Sequence, residues 1–163
     1  EGRVSFDDGL RCLPIDVAQT ALADTNQQPG APVELITAAD IPDRYIAMPP
    51  VLAIAALRNL LDNARRHTRA GSSVELALLS EDADRVCFRA RDYGPGIPAG
   101  TLEQITKRFW RNSDGDGSGL GLSIVKAIAE RCDCELRFVS LDDGLQVDFV
   151  VGLQAASVPE QRF

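Results

Sequence analysis

From Pro49 to Arg66 the sequence carries one uninterrupted helical pattern, and its two faces demand different surroundings. Advancing 100° per residue puts Ala53, Ile54, Leu57, Leu60, Leu61 and Ala64 on one apolar face. That stripe has to be buried, and a sheet offers the matching surface. Pro49 and Pro50 suit a first helical turn, where a missing N–H costs nothing. The adjoining face holds Asn59, Asn63, Arg66 and His67, all within about 80° of Asn59. Asparagine is a mediocre helix former because its amide competes for backbone hydrogen bonds. Two of them four residues apart suggest a use. An amide oxygen is a neutral, hard ligand suited to Mg²⁺, and Arg66 with His67 one turn on can meet phosphate. A solvated helix face accounts for the same four residues, and the helix alone does not decide.

The remaining chain reads as alternating helices and strands. Leu13 to Ala23 is predicted helical, with Pro14 near its start, and Gln27 to Pro32 is a polar loop. Strands are expected at Val33–Thr37, Tyr45–Met48, Ser73–Leu79 and Arg85–Arg91. A second helix is expected over Gly119–Arg131. Glu135–Ser140 and Leu145–Leu153 form a hairpin across Asp142-Asp143-Gly144, and the chain frays from Ala155. Adjacent strands mixed with helices predict an α+β fold with a largely antiparallel sheet. One domain, residues 1–153, with a tail over 154–163, fits a chain of this length.

Composition excludes several classes. Acidic residues outnumber basic ones by 24 to 17, a net charge of −7. Such a chain is a poor general ligand for nucleic acid or an anionic membrane. The longest apolar stretch, 46–57, has 12 residues and two prolines, where a membrane span needs about 20. The first residue is Glu1, which suggests a piece of something longer. The four cysteines include no C-x-x-C pair, and a single histidine argues against a mixed zinc site. They read as small buried hydrophobes.

Two glycine motifs follow the long helix. Asp92-Tyr93-Gly94-Pro95-Gly96-Ile97-Pro98 closes the Arg85–Arg91 strand. Alone it is a turn, but its glycines also admit a flat group close to the backbone. A carboxylate there accepts from an exocyclic amine such as the N6 group of adenine. Farther on, Gly117, Gly119 and Gly121 alternate immediately before Leu122-Ser123-Ile124-Val125. Backbone N–H groups at such a helix entry bind phosphate. The spacing is neither a dinucleotide fingerprint nor a P-loop.

The order of these motifs resembles the ATP-binding catalytic domain of sensor histidine kinases, within the superfamily of gyrase, chaperone, histidine kinase and mismatch-repair ATPases. Leu57 to Thr68 is similar to the N box, Asp92 to Pro98 to the G1 box, Arg108 to Arg111 to the F box, and Gly117 to Val125 to the G2 box. The resemblance covers roughly residues 4–153. It implies a two-layer α/β sandwich of the Bergerat type, with helices on one face of the sheet and a lid from about Ala99 to Gly117. It implies ATP and Mg²⁺ as cofactors. By this resemblance Asn63 holds the metal and Asp92 the adenine. Nucleotide contacts further include Asn59, Arg66, His67, Gly94, Gly96, Ile97, Lys107, Phe109, Gly117, Ser118, Gly119, Leu120, Gly121 and Leu122. Asn59, Arg66, His67 and Arg111 are the implied catalytic set.

The implied activity is that of a protein-histidine kinase. The γ-phosphoryl passes to a histidine on a separate dimerisation and phosphoacceptor domain, then to an aspartate of a response regulator. Hydrolytic members of the superfamily place a glutamate where this chain has Asn59, and an amide takes no proton from water. A hydrolytic ATPase and a non-catalytic nucleotide-binding module are the alternatives. The phosphoacceptor histidine is not in this chain; His67 belongs to the N box. Thr106 departs from the usual F box, and Cys132-Asp133-Cys134 replaces a frequent His-Gly-Gly. The resemblance further implies a monomeric isolated domain without membrane contact of its own, on the cytosolic side of a bacterial inner-membrane parent.

Overall fold

The computed structural model describes residues 11–95 and 117–155. In chain order these form α1 (Pro14–Asn26), β1 (Val33–Thr37), α2 (Pro50–His67), β2 (Val74–Asp82), β3 (Arg85–Arg91), α3 (Gly117–Arg131), β4 (Glu135–Leu141) and β5 (Gly144–Gly152). The five strands make one sheet in the order β1-β2-β3-β5-β4. Only the β1–β2 pair is parallel, with α2 in the crossover; every other neighbour is antiparallel. The expected α+β fold with a mixed, largely antiparallel sheet is what the chain adopts.

Alternation assigns the two faces of the sheet. Val86, Phe88 and Ala90 of β3, Val147, Phe149 and Val151 of β5, and Leu76 and Leu78 of β2 enter one core with Leu57, Leu60 and Leu61 of α2 and Val17, Ala18 and Ala21 of α1. Phe88 and Phe149 face each other across β3 and β5, and both are fully buried. Truncating either to alanine removes about 3–5 kcal/mol of packing. The opposite face is an ion lattice. Asp148 on β5 lies between Arg89 of β3 and Arg137 of β4 in the register. Arg89 donates to it at 2.9 and 3.2 Å, and Arg137 reaches across to Glu81 at 2.9 and 3.1 Å.

Several boundaries differ from the sequence reading. Tyr45–Met48 is no strand: only Ile46 bridges to Leu153, although Ala47 and Gln154 extend the contact through backbone bonds to Gly152 and Tyr45. Pro49 and Pro50 follow at once and have no N–H with which to continue a ladder. The first helix runs to Asn26, β2 runs to Asp82, and α3 starts at Gly117, two residues before the expected Gly119. Gly144 pairs with Leu141 inside the hairpin, so the loop is Asp142-Asp143 alone. Residues 96–116, which hold the expected lid apart from Gly117, lie outside the described residues. Of the four cysteines expected to be buried, Cys12 and Cys87 are, while Cys132 and Cys134 are only partly covered.

Candidate nucleotide site at the end of the long helix

The site grows from the last two turns of α2. Leu57, Leu60, Leu61 and Ala64 are pinned in the core, which fixes the rotation of the helix and so the positions of the polar stripe. Asn63 lies at the rim of that buried face and is only 6% exposed. The sequence reading put it on the polar side, and the structure buries it. Asn59 is half-buried, and its amide nitrogen donates to the Ala55 carbonyl at 2.8 Å. This bond orients the side chain and leaves the amide oxygen as its accepting end. Arg66 is exposed. His67 Nδ1 lies 2.8 Å from the Asn63 carbonyl. A carbonyl only accepts, so Nδ1 carries the proton, and Nε2 of the neutral ring is an acceptor.

The Asp92 turn is held against this helix end from two sides. Tyr93 N–H donates to Thr68 Oγ1 at 2.9 Å, and Arg69 N–H donates to the Tyr93 carbonyl at 3.2 Å. Gly94 sits so close that a Cβ there would collide with the His67 carbonyl oxygen. From the other side the β4–β5 hairpin closes in. Asp92 N–H donates to the Leu145 carbonyl at 3.0 Å, and Leu145 N–H returns a bond to Asp92 Oδ1 at 3.1 Å. Gly144 has φ +150°, and a Cβ on it would strike the Asp92 carbonyl.

Asp92 itself is 4% exposed. Its Oδ1 accepts from both Gly94 N–H and Leu145 N–H, at 3.1 Å each. The two backbone donors fix that oxygen in place. Oδ2 takes part in neither bond. Arg91 completes the support: it donates to the Asp92 carbonyl at 2.9 Å, stacks 4.2 Å over the Tyr93 ring and pairs with Asp143 at 2.7 Å. The Arg91 guanidinium holds the Asp143 carboxyl below its usual range, chiefly through that hydrogen bond.

The backbone of Gly117, Ser118, Gly119, Leu120, Gly121 and Leu122 is helical and forms the first turns of α3. This helix packs alongside α2. Gly117, expected at the end of the lid, is thus helical. Gly96, Ile97, Lys107, Phe109 and Arg111 lie outside the described residues. The structure therefore sets Asp92 and Gly94 against the end of α2 at His67 and Thr68, with Asn59, Asn63 and Arg66 earlier on the same helix. It also adds Thr68, Arg91, Gly144 and Leu145, which the sequence reading did not single out. Thr68 closes the N-box stretch and was open to inspection there. The hairpin residues lie some fifty positions from Asp92 and carry no local signal.

Among the described residues no cluster of three or more histidine, cysteine, aspartate or glutamate side chains forms a metal cage. Asn63 offers a single neutral oxygen. That donor set suits Mg²⁺, which keeps most of its shell as water and substrate phosphate. It does not suit a metal bound by protein alone. No helix of the described residues is long and apolar enough to cross a membrane.

Comparison with known proteins defines the class. The family model for histidine kinase-, DNA gyrase B- and HSP90-like ATPases matches residues 50–155. The chain belongs to that family, and ATP is the nucleotide the family binds. Relatives include the sensor protein QseC of Escherichia coli K12, 39% identical over 97 residues that cover 58% of this chain and 20% of QseC. The sensor protein kinase PmrB of Pseudomonas aeruginosa is 44% identical over 79 residues, covering 47% of this chain and 16% of PmrB. The matches thus span a fifth or less of the length of these relatives. Among solved structures, a mycobacterial sensor histidine kinase MprB superposes with a TM-score of 0.71 over 90% of this chain and 99% of that one, at 22% identity. At that identity the likeness establishes the fold.

Proposed function

We propose that this chain is the ATP-binding catalytic domain of a sensor protein-histidine kinase. It binds Mg-ATP and presents the γ-phosphoryl to a histidine on the phosphoacceptor domain of its parent, from which it passes to a response-regulator aspartate. The observation that carries the reading is the pairing of Asp92 with Asn59. Asp92 is a buried carboxylate fixed by two backbone N–H groups, an acceptor in place for the adenine amine. Asn59 stands where hydrolytic relatives need a base, and its amide is spent on its own helix.

The residues then take separate roles. Asp92 selects adenine, and Gly94 lets the turn that carries it seat against the end of α2. Asn63 would hold Mg²⁺. The bound metal neutralises charge on the phosphates. Arg66 approaches the phosphates as a fixed cation. His67 contributes a donor at Nε2 only as the imidazolium, because Nδ1–H is committed to the helix carbonyl. The G2 glycines present backbone N–H groups at the start of α3 to the phosphates. Lys107, Phe109 and Arg111 belong to this reading through the sequence resemblance. A neutral histidine acceptor is already nucleophilic, so positioning and charge neutralisation suffice for transfer. The alternatives remain a hydrolytic ATPase and a binding module.

The test uses γ-labelled ATP, this chain and a purified phosphoacceptor domain from a sensor kinase. Acid-labile label on histidine is the expected outcome. Label released as free phosphate identifies an ATPase, and nucleotide binding without turnover identifies a regulatory module.

A further inference from the structure

The outer face of β3 carries three arginines, and the last of them differs from the other two. Arg85 pairs with Asp82 and Glu135, and Arg89 with Asp148, so both serve carboxylates of other strands. Arg91 turns instead to the β4–β5 hairpin and to the backbone of its own neighbour. Its Nη1 donates to the Asp92 carbonyl at 2.9 Å and reaches the Asp143 carbonyl at 3.5 Å, while Nη2 meets Asp143 Oδ1 at 2.7 Å. Its guanidinium lies 4.2 Å from the centre of the Tyr93 ring. The Arg91 side chain is 14% exposed, against 41% for Arg85 and 36% for Arg89.

Asp92 is bound into the same hairpin. Its N–H and its Oδ1 both bond to Leu145, its carbonyl accepts from Arg91, and Oδ2 takes part in none of these bonds. Gly144 leaves no room between the hairpin and the strand end, since a Cβ there would strike the Asp92 carbonyl. The position of the carboxylate therefore follows that of the hairpin tip, and the Arg91 side chain spans the two. We propose that Arg91, held by Asp143, is a positioning residue that sets adenine selectivity through Asp92, an inference that rests on the proposed reading of Asp92 as the adenine acceptor. A planar guanidinium donates from its nitrogens in fixed directions, so it holds strand end and hairpin at one separation. The exocyclic amine of adenine is a donor, whereas a 6-oxo group in its place is an acceptor. A carboxylate held in register accepts from the first and repels the second. One that is free to shift discriminates less, because selectivity depends on polar groups being locked by their supporting bonds. The Asp143 carboxyl also feels the charge of Arg69, just beyond α2, after that of Arg91. The hairpin tip is thus drawn toward the helix end as well.

The test measures the binding of ATP and of its 6-oxo analogue ITP to the 163-residue chain by calorimetry, with thermal melting alongside. The wild-type chain is expected to prefer ATP by about tenfold or more, as a charged hydrogen bond exchanged for a repulsion requires. Arg91→Ala and Asp143→Ala each shrink that preference by about threefold or more, chiefly through lost ATP affinity, and the double variant is no worse than Arg91→Ala because both act along one path. Arg85→Ala, on the same face of β3, keeps the wild-type preference. The ratio isolates the positioning role, since a variant that only loosens the fold weakens both nucleotides alike. The Asp143 side chain is 64% exposed, so its variant decides the matter even if Arg91→Ala fails to fold. A wild-type preference that survives in Asp143→Ala or in folded Arg91→Ala, or equal losses for ATP and ITP, overturns this proposal alone. A wild-type chain that binds neither nucleotide, or both alike, overturns the adenine reading of Asp92 and this proposal with it.

Discussion

Asp92 has two jobs that one atom change can separate. Its Oδ1 ties the turn to Gly94 and Leu145, and the carboxylate as a whole is the proposed acceptor for adenine. In Asp92→Asn the remaining amide oxygen can keep both backbone donors, while the new NH₂ repels a donor on the base. The variant is expected to melt close to the parent chain and to lose nucleotide affinity by about tenfold or more, from the roughly 1.5–3 kcal/mol of a charged hydrogen bond. Calorimetric affinity equal to wild type would remove Asp92 from the site. Gly94→Ala is the opposite case. The added methyl runs into the His67 carbonyl, which is backbone and cannot swing aside. The turn must lift off α2, so stability and ATP affinity should fall together, by about 1–3 kcal/mol in stability. A thermal melt at the wild-type temperature would show that the turn has room that the structure does not show.

At the scale of elements, α2 is held by its packing and by one clamp. Arg65 donates Nε to the Ala31 carbonyl at 2.7 Å, Nη1 to Thr25 at 2.7 Å and Nη2 to Gln28 at 2.8 Å. These three carbonyls belong to the end of α1 and the loop before β1. Asn26 secures the same loop by exchanging two bonds with Val33. A planar guanidinium can serve three acceptors at once, and a lysine ammonium in its place cannot hold that fork. Arg65→Lys should therefore cost about 2–4 kcal/mol in denaturant unfolding, with ATP affinity of the folded fraction unchanged. Arg65 faces the α1–β1 loop and not Asp92. Equal losses in both measurements would mean that the clamp also sets the site. No local sequence pattern marks Arg65, because its partners are backbone carbonyls up to 40 positions away. The same limit recurs across the fold. Periodicity revealed α2, β3 and the terminal hairpin, since each pattern is local. It missed the end of Tyr45–Met48 pairing, which depends on the two prolines that follow. It also missed the support of Asp92 by Gly144 and Leu145, which exists only after β3 and β5 pair. The motif boxes carry their signal because each is short and continuous, while the burial of Asn63 depends on how α2 packs in the folded chain.

Across the whole molecule, two thiols report on how tightly the domain is closed. Cys87 lies on the ion-lattice face of β3 and Cys134 at the start of β4, and burial is the main cause of the shift in each. It pushes Cys87 from an ordinary thiol value of 9.0 up to about 11 and Cys134 up to about 12. Asp148 adds to the first, and Cys132 with Asp133 to the second. Both folded values exceed the unfolded one, so the native state favours the protonated thiol. The stability this linkage supplies is fully present below pH 9 and disappears as pH climbs from there through the folded values. The chain should thus lose stability in alkali faster than tyrosine and lysine ionisation alone would cause. The comparison that isolates the thiols is a Cys87→Ala, Cys134→Ala double variant, in which each side chain loses its proton and little volume. Urea midpoints followed from pH 8 upward should fall more steeply for the parent chain than for the variant. At pH 7.5 both thiols should also react with iodoacetamide far more slowly than in the unfolded chain, since thiolate is the reactive species. Parallel alkaline slopes would show that these cysteines are solvated in the native state.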